Sequence, residues 1–338
     1  MFGSSNPYSQ AGETQVNLSV RRLRSTDHYS GEVEQVQRQT LQTYVVNTQN
    51  AVDLSISHTF TERFSMNVGV PYVAAAWGIP SPNTQPKPGP RAMEDGRGLG
   101  DISVSSRFWV LPTSKFRSGN ISAGIGIKFP TGNSAYKDTY PNSAGLDNRP
   151  RFVDQSVQPG DGGWGVMMEL QGFKRIPHAQ LFGSAAYLAN PRDRNDTTSG
   201  GINRSTSANP TINPDGTSYN SVPDSFLARL GGAVPIGKTG FAGSLAWRIE
   251  GLPRYDLFGE SHGFRRPGVE MFIEPGVSYA RGSQFVALNV PFGYYRNRFP
   301  NPITGNSGDA TFPKHIFLIS YGYRFPGKSG TVDTALCQ

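Results

Sequence analysis

Asn120-Ile121-Ser122-Ala123-Gly124-Ile125-Gly126-Ile127-Lys128-Phe129 is the stretch that decides the fold. Ile121, Ala123, Ile125, Ile127 and Phe129 take every second position. Asn120, Ser122, Gly124, Gly126 and Lys128 fill the positions between. A period of two belongs to a strand with one apolar face, since successive side chains of a strand point to opposite sides. The other face is small or singly charged, which is poor covering for a strand that meets bulk water.

The same period recurs outward in both directions. Phe64, Met66, Val68, Val70 and Tyr72 carry it upstream, and Ile102, Val104, Ser106, Phe108 and Val110 follow. Downstream it returns in Phe241-x-Gly243-x-Leu245-x-Trp247-x-Ile249, in Val269-x-Met271-x-Ile273-x-Pro275-x-Val277-x-Tyr279, and in Phe317-x-Ile319-x-Tyr321-x-Tyr323-x-Phe325. About twelve strands are predicted, an even number as membrane barrels favour. They fall at 14–24, 44–60, 63–75, 98–111, 119–130, 163–174, 178–190, 224–235, 239–251, 267–280, 284–296 and 313–325. Short connections near Thr61-Glu62 and at 112–118, 175–177, 236–238 and 281–283 alternate with long ones at 25–43, 76–97, 131–162, 191–223, 252–266 and 297–312. In an up-and-down barrel this alternation gathers every short turn and both termini at one rim and every long loop at the other.

Composition agrees. Of 338 residues, 40 are Gly and 26 Pro, which interrupt long helices. The longest apolar run, Val70 to Trp77, falls far short of the roughly 18 residues of a membrane helix. Cys337 is the single cysteine, so no intrachain disulfide forms. The net charge of +7 is scattered with no Lys/Arg block, which points away from nucleic acid and toward outer-membrane lipid and lipopolysaccharide as partners.

Alternation alone fits a soluble sandwich as well as a membrane barrel. Two features favour the barrel. The polar face carries single charges of both signs near mid-strand: Asp53, Asp101, Arg107, Lys128, Glu169, Arg229, Arg248, Glu250, Glu270 and Glu274. Such charges suit a crowded lumen, where they pair with one another or set selectivity. Aromatics such as Phe60, Phe64, Tyr72, Phe108, Phe129, Tyr279, Tyr294, Tyr323 and Phe325 gather near the ends of the apolar rows, as interfacial girdles do. The expected fold is all-β: a transmembrane up-and-down antiparallel barrel with short periplasmic turns and long extracellular loops. Residues 1–13 form an N-terminal periplasmic segment, 14–325 the single outer-membrane barrel and 326–338 a C-terminal periplasmic tail.

Gly98-Leu99-Gly100-Asp101 opens a strand, and the hairpin after it ends in Lys128-Phe129-Pro130-Thr131-Gly132. Upstream, Arg63-Phe64-Ser65 leads to Val70-Pro71-Tyr72. In these motifs, over residues 14–325, the chain resembles the outer-membrane family of MetA-pathway phenol-degradation proteins, barrel transporter-like proteins often encoded beside catabolic genes. The resemblance implies a barrel and transport of small or aromatic compounds. It supplies no catalytic or ligand-binding residues.

Gly96-x-Gly98-x-Gly100 precedes a strand, not the helix that a phosphate loop needs, and reads as a rim turn. No two of His28, His58, His178, His262 and His315 have metal-ligand spacing on one element, and nothing pairs His58 with an activated serine. Asp193, Asn195, Asp196, Asn213 and Asp215 could hold Ca²⁺, although Asx turns explain the same residues. No catalytic residue and no cofactor is therefore assigned. The expected function is passive passage of small solutes, aromatic or hydrophobic ones included. The alternative is a structural or interaction barrel whose long loops bind an envelope partner. On the assigned faces, Ile125→Arg should block insertion and Gly126→Ser should be tolerated.

Overall fold

The structure, a computed structural model, describes residues 8–213 and 216–327. Parts of the expected terminal segments, Cys337 and Asp215 lie outside the described residues. The chain forms a closed antiparallel barrel of twelve strands. In order they are Thr14–Ser30, Val46–Thr59, Phe64–Pro80, a fourth made of Arg91–Leu99 and Ser103–Trp109, Gly119–Lys128, Gly165–Ile176, Ala179–Ala189, Ser225–Pro235, Phe241–Leu252, Gly268–Arg281, an eleventh made of Gln284–Asn289 and Phe292–Arg298, and Ala310–Phe325. Each pairs with its neighbours in sequence. The first and last close the wall in a register running from Thr14↔Phe325 to Tyr29↔Ala310. Closure removes the edges that an open sheet would present to lipid.

Two strands are broken where the ladder cannot run on. In the fourth, the Gly100 N–H turns to the Pro71 carbonyl at 2.8 Å and the Ile102 N–H to Thr131 Oγ1 at 2.8 Å. In the eleventh, Pro291 has no N–H to give. The Val290 N–H bonds the Pro275 carbonyl and the Ile316 N–H bonds the Pro291 carbonyl, each at 3.0 Å, and the wall stays shut.

The apolar rows point outward. Ile121, Ile125, Leu170, Leu230 and Leu245 are each more than half exposed at the outer surface. A belt of this extent is stable only against hydrocarbon. Their neighbours Asn120, Ser122 and Lys128 are buried toward the inside.

The hairpin expected as a loop over 76–97 is mostly strand. Pairing continues from Tyr72↔Leu99 to Pro80↔Arg91, and the connection shrinks to 81–90. The Gly96-x-Gly98 run therefore lies within a strand and not at a rim turn. The first strand likewise runs on to Ser30, beyond the expected end at 24, because Ser25 to Tyr29 find partners in the last strand.

Two apolar clusters sit inside the wall. Leu23, Phe272, Ile316 and Leu318 pack together from the first, tenth and twelfth strands. Val45, Ala75 and Trp77 cover Val153 and Val157, which the 129–164 loop brings inward. At the other rim, residues 8–13 cross the mouth. The Gly12 N–H bonds Thr59 O at 2.7 Å, and Thr113 Oγ1 donates to Ser9 O at 2.8 Å. The Tyr8 hydroxyl donates to Gln180 Oε1 at 2.6 Å, and its ring stands edge-on to Phe173 at 5.0 Å. This strap starts at the sixth and seventh strands and ends at the first, on the far side of the barrel.

Candidate functional site

Every lumen charge expected from the sequence lies on an inward-facing or loop-end position, and the structure sorts these charges into separate groups. Arg107 donates to Glu169 at 2.6 Å and also reaches Gln171. Arg107 is on the fourth strand and Glu169 on the sixth, and both stand opposite Gly124 of the intervening strand. A Cβ at Gly124 would lie 3.1 Å from Glu169 Oε2 and 3.0 Å from the Ser106 carbonyl, so the missing side chain is what lets the two charges meet over it.

The larger group spans the eighth to tenth strands. The register sets Arg229 opposite Arg248 and Glu250 opposite Glu270, like charge against like. Pairing along and across the strands relieves this. Arg248 Nε donates to Glu250 at 3.0 Å, and its Nη1 lies 3.6 Å from Glu274. Arg229 reaches Glu274 at 2.6 Å across Ala246, whose small side chain leaves the path open, and bonds Asn289 at 3.2 Å. Glu270 is not part of this chain of contacts; its partner is Arg296 at 2.8 Å. Arg21 of the first strand bonds Glu250 of the ninth at 2.5 Å. That bond joins walls separated by three strands, so it crosses the lumen. Together with the Leu23–Phe272–Ile316–Leu318 cluster it fills this sector of the interior.

Lys128 stands at the long-loop end of the fifth strand, 3.7 Å from Asp101 and in direct contact with Asp161. Asp101 also accepts from the backbone N–H groups of Gly132 at 2.9 Å and Asp161 at 3.2 Å. These two expected lumen residues anchor the base of the 129–164 loop. Asp53 faces inward, opposite Ser19.

Above the lumen the long loops form a cap that the sequence reading did not contain. Asp154 accepts a bidentate pair from Arg266 at 2.8 and 2.7 Å, and its backbone N–H donates to Glu94 at 2.6 Å. Arg204, from the 190–224 loop, contacts Glu94 and lies over the Trp77 ring at 4.4 Å. Asn47 and Gln49, inside the second strand, donate to Ser156 Oγ and O, each at 2.9 Å. Three long connections and three strands thus converge on one buried cluster. Asp95 and Arg97 face outward on the fourth strand, so the cap lies beyond the lipid belt. Burial acts to raise the Asp154 carboxyl, but Arg266 and the Ser156 hydrogen bonds outweigh it and hold Asp154 down at about 2. At Glu94 burial prevails over Arg204, with Asp154 adding to the rise, and the carboxyl sits at about 7.

The loop residues considered for Ca²⁺ serve mainly as turn and cap groups. Asn195 Oδ1 accepts from the Thr197 N–H at 3.0 Å and Asn213 Oδ1 from Gly216 at 3.1 Å. Asp196 is exposed and pairs with Arg192 at 3.1 Å. Of the residues that sequence reasoning missed, Arg21 had a readable signal: it precedes Arg22, and in a strand one of two adjacent arginines must face inward. Asp154, Arg204 and Arg266 of the cap had none, since they sit in polar connections.

No family model matches the chain, and no curated protein does. Among solved structures, it is similar to an outer-membrane channel from Pseudomonas putida F1, at 9% identity and a TM-score of 0.62, over 96% of this chain and 100% of that one. The translocator domain of the autotransporter NalP from Neisseria meningitidis scores 0.48 at 13% identity, over 94% and 90%. A Pseudomonas aeruginosa FadL homologue scores 0.39 at 9%, over 92% and 89%. The first likeness is one of fold: the chain has the fold of a bacterial outer-membrane barrel.

Proposed function

We propose that the protein is a passive channel of the bacterial outer membrane for small solutes, aromatic or hydrophobic ones included. The observation that carries this reading is the division of the lumen. The sector between the eighth and first strands is filled by the Arg21–Glu250–Arg248–Glu274–Arg229 network and its apolar neighbours. The opposite sector is lined by short polar side chains such as Ser57, Ser65, Ser105 and Ser122. These side chains are buried in this structure but short and uncharged, so a narrow path opens along them more readily than through the charge network. Trp109 and Phe173 stand on the same side near the short-turn rim, and flat rings there suit the passage of aromatic solutes. The charges Arg107, Glu169, Lys128 and Asp101 border the path and would set its selectivity.

The strap and the cap are the two constrictions on this route, and they make the reading testable. In planar bilayers the full chain should give small, discrete conductance steps. Removing the residues before Glu13 should enlarge them, since it takes away Tyr8 and Ser9 and with them the span across the mouth. An interaction barrel with a packed interior conducts in neither form, and silence from both proteins in the folded state would overturn the channel reading.

A further inference from the structure

Asp193, Glu260 and His262 each offer one ligand atom, and these atoms all lie within 4.8 Å of one another. Asp193 comes from the 190–224 loop, the other two from the 253–267 loop. They are 67 and 69 positions apart in the chain, so no local spacing announces the set. The lumen network and the cap cluster use none of the three.

We propose that this triad is a divalent transition-metal site, with Zn²⁺ the ion it fits best, clamping the two loops together at the long-loop rim. The donor set selects the metal class. One imidazole nitrogen and two carboxylates are the mixed N/O donors that zinc accepts in sites with three protein ligands and a water. Calcium takes six to eight oxygen donors, and magnesium keeps several of its waters. An imidazole among the ligands counts against both.

The geometry is largely prepared. His262 Nδ1 already stands 3.3 Å from Glu260 Oε2. Asp193 Oδ1 is held in place by the backbone N–H groups of Glu260 at 2.8 Å and Ser261 at 3.0 Å, so its carboxylate is oriented before any ion arrives. Hydrogen bonds of this kind from neighbouring groups fix a ligand's direction. Glu260 is exposed and can swing onto an ion at little cost, while His262 and Asp193 are half-buried. A bound ion would join the loop that supplies Arg204 to the loop that supplies Arg266, the two arginines of the cap.

The test uses the untagged, folded full chain in detergent, titrated with ZnCl2 by calorimetry and equilibrium dialysis. One zinc per chain is expected, undiminished by millimolar Mg²⁺. His262→Gln and Asp193→Asn should each weaken it by at least about 10–100-fold, the loss seen even for outer-shell changes at zinc sites. Asp193→Asn keeps an oxygen to accept the Glu260 and Ser261 N–H groups, and heat-modifiable migration on gels verifies that each variant barrel is folded. Zinc should also slow proteolysis between 204 and 213 in the parent and not in the variants. Absence of stoichiometric binding, or binding that both variants retain, would overturn the site.

Discussion

Ile125 and Gly126 are neighbours in the chain and face opposite surroundings. Ile125 stands in the outer belt between Met168 and Ser106 and is well exposed there. An arginine at that depth on a barrel's lipid face costs about 2–4 kcal/mol. Ile125→Arg should therefore fail to fold into vesicles, while Ile125→Leu should stay within about 0.5 kcal/mol of the parent in urea titration. Gly126 departs from the expectation that an inward position tolerates serine. A Cβ there would lie 2.6 Å from Ser105 Cβ, 2.7 Å from Met167 Cε and 2.7 Å from the Val104 carbonyl. The methionine can move, but the carbonyl belongs to the wall. Gly126→Ser should cost about 1–3 kcal/mol as overpacking. A Gly126→Ser protein as stable as its parent would mean that the fourth and fifth strands are farther apart at this level. Alternation tells which side a residue faces, and here it does so correctly. It says nothing about the space on that side, which depends on what the adjoining strands present.

The cap is the element whose behaviour should follow pH, and its two carboxylates act in opposite directions. Asp154 is held down at about 2, so its contribution is present above its ordinary value of 3.8 and is lost as pH falls toward 2. Glu94 is pushed up to about 7 from 4.5, so its contribution is full below 4.5 and is lost as pH rises through 7. The cap should be tightest at about pH 4 to 4.5 and loosen progressively as pH rises toward 7. Hydrogen exchange over 153–157 should be slowest in that window and faster at pH 8.5. Glu94→Gln, which keeps an oxygen for Arg204, should remove the alkaline rise beyond the intrinsic pH trend of exchange. If the parent at pH 8.5 is as protected as at pH 5.5, Glu94 ionisation is not coupled to the cap. The barrel strands were legible in the sequence because the period of two persists wherever a wall meets lipid. The cap was not. Val153, Val157, Asp154 and Gln155 occupy a polar connection with no period, and only the fold shows that Val45, Ala75 and Trp77 await them. The extended third and fourth strands were lost for a related reason: Gly78, Pro80, Gly96 and Gly98 carry turn chemistry, and cross-strand pairing overrides it.

At the scale of the whole molecule, the lumen charges hold the interior together and, on the proposed channel reading, bias which ions pass; one set of variants separates the two. Arg107→Gln, Arg229→Gln and Arg248→Gln together remove three positive charges from the interior. Permeability for cations over anions should rise, because a narrow polar path between low-dielectric walls concentrates the field of the remaining carboxylates. The shift should shrink between 0.1 M and 1 M salt, as the Debye length falls from about 10 Å to about 3 Å. Stability should fall as well, and unevenly. Glu250 keeps Arg21, whereas Glu169 loses its arginine and Glu274 loses both of its own. Stranding a buried charge costs about 3–5 kcal/mol, less where water reaches it, so Glu169 and Glu274 should account for most of the loss. Adding Glu169→Gln and Glu274→Gln to the triple variant removes those two stranded charges. It should recover much of the thermal stability and bring the reversal potential most of the way back. A triple variant with unchanged reversal potential but lower stability would place these arginines in a sealed sector that ions never visit. In that case the selectivity of the path would rest on Lys128, Asp101 and the cap alone.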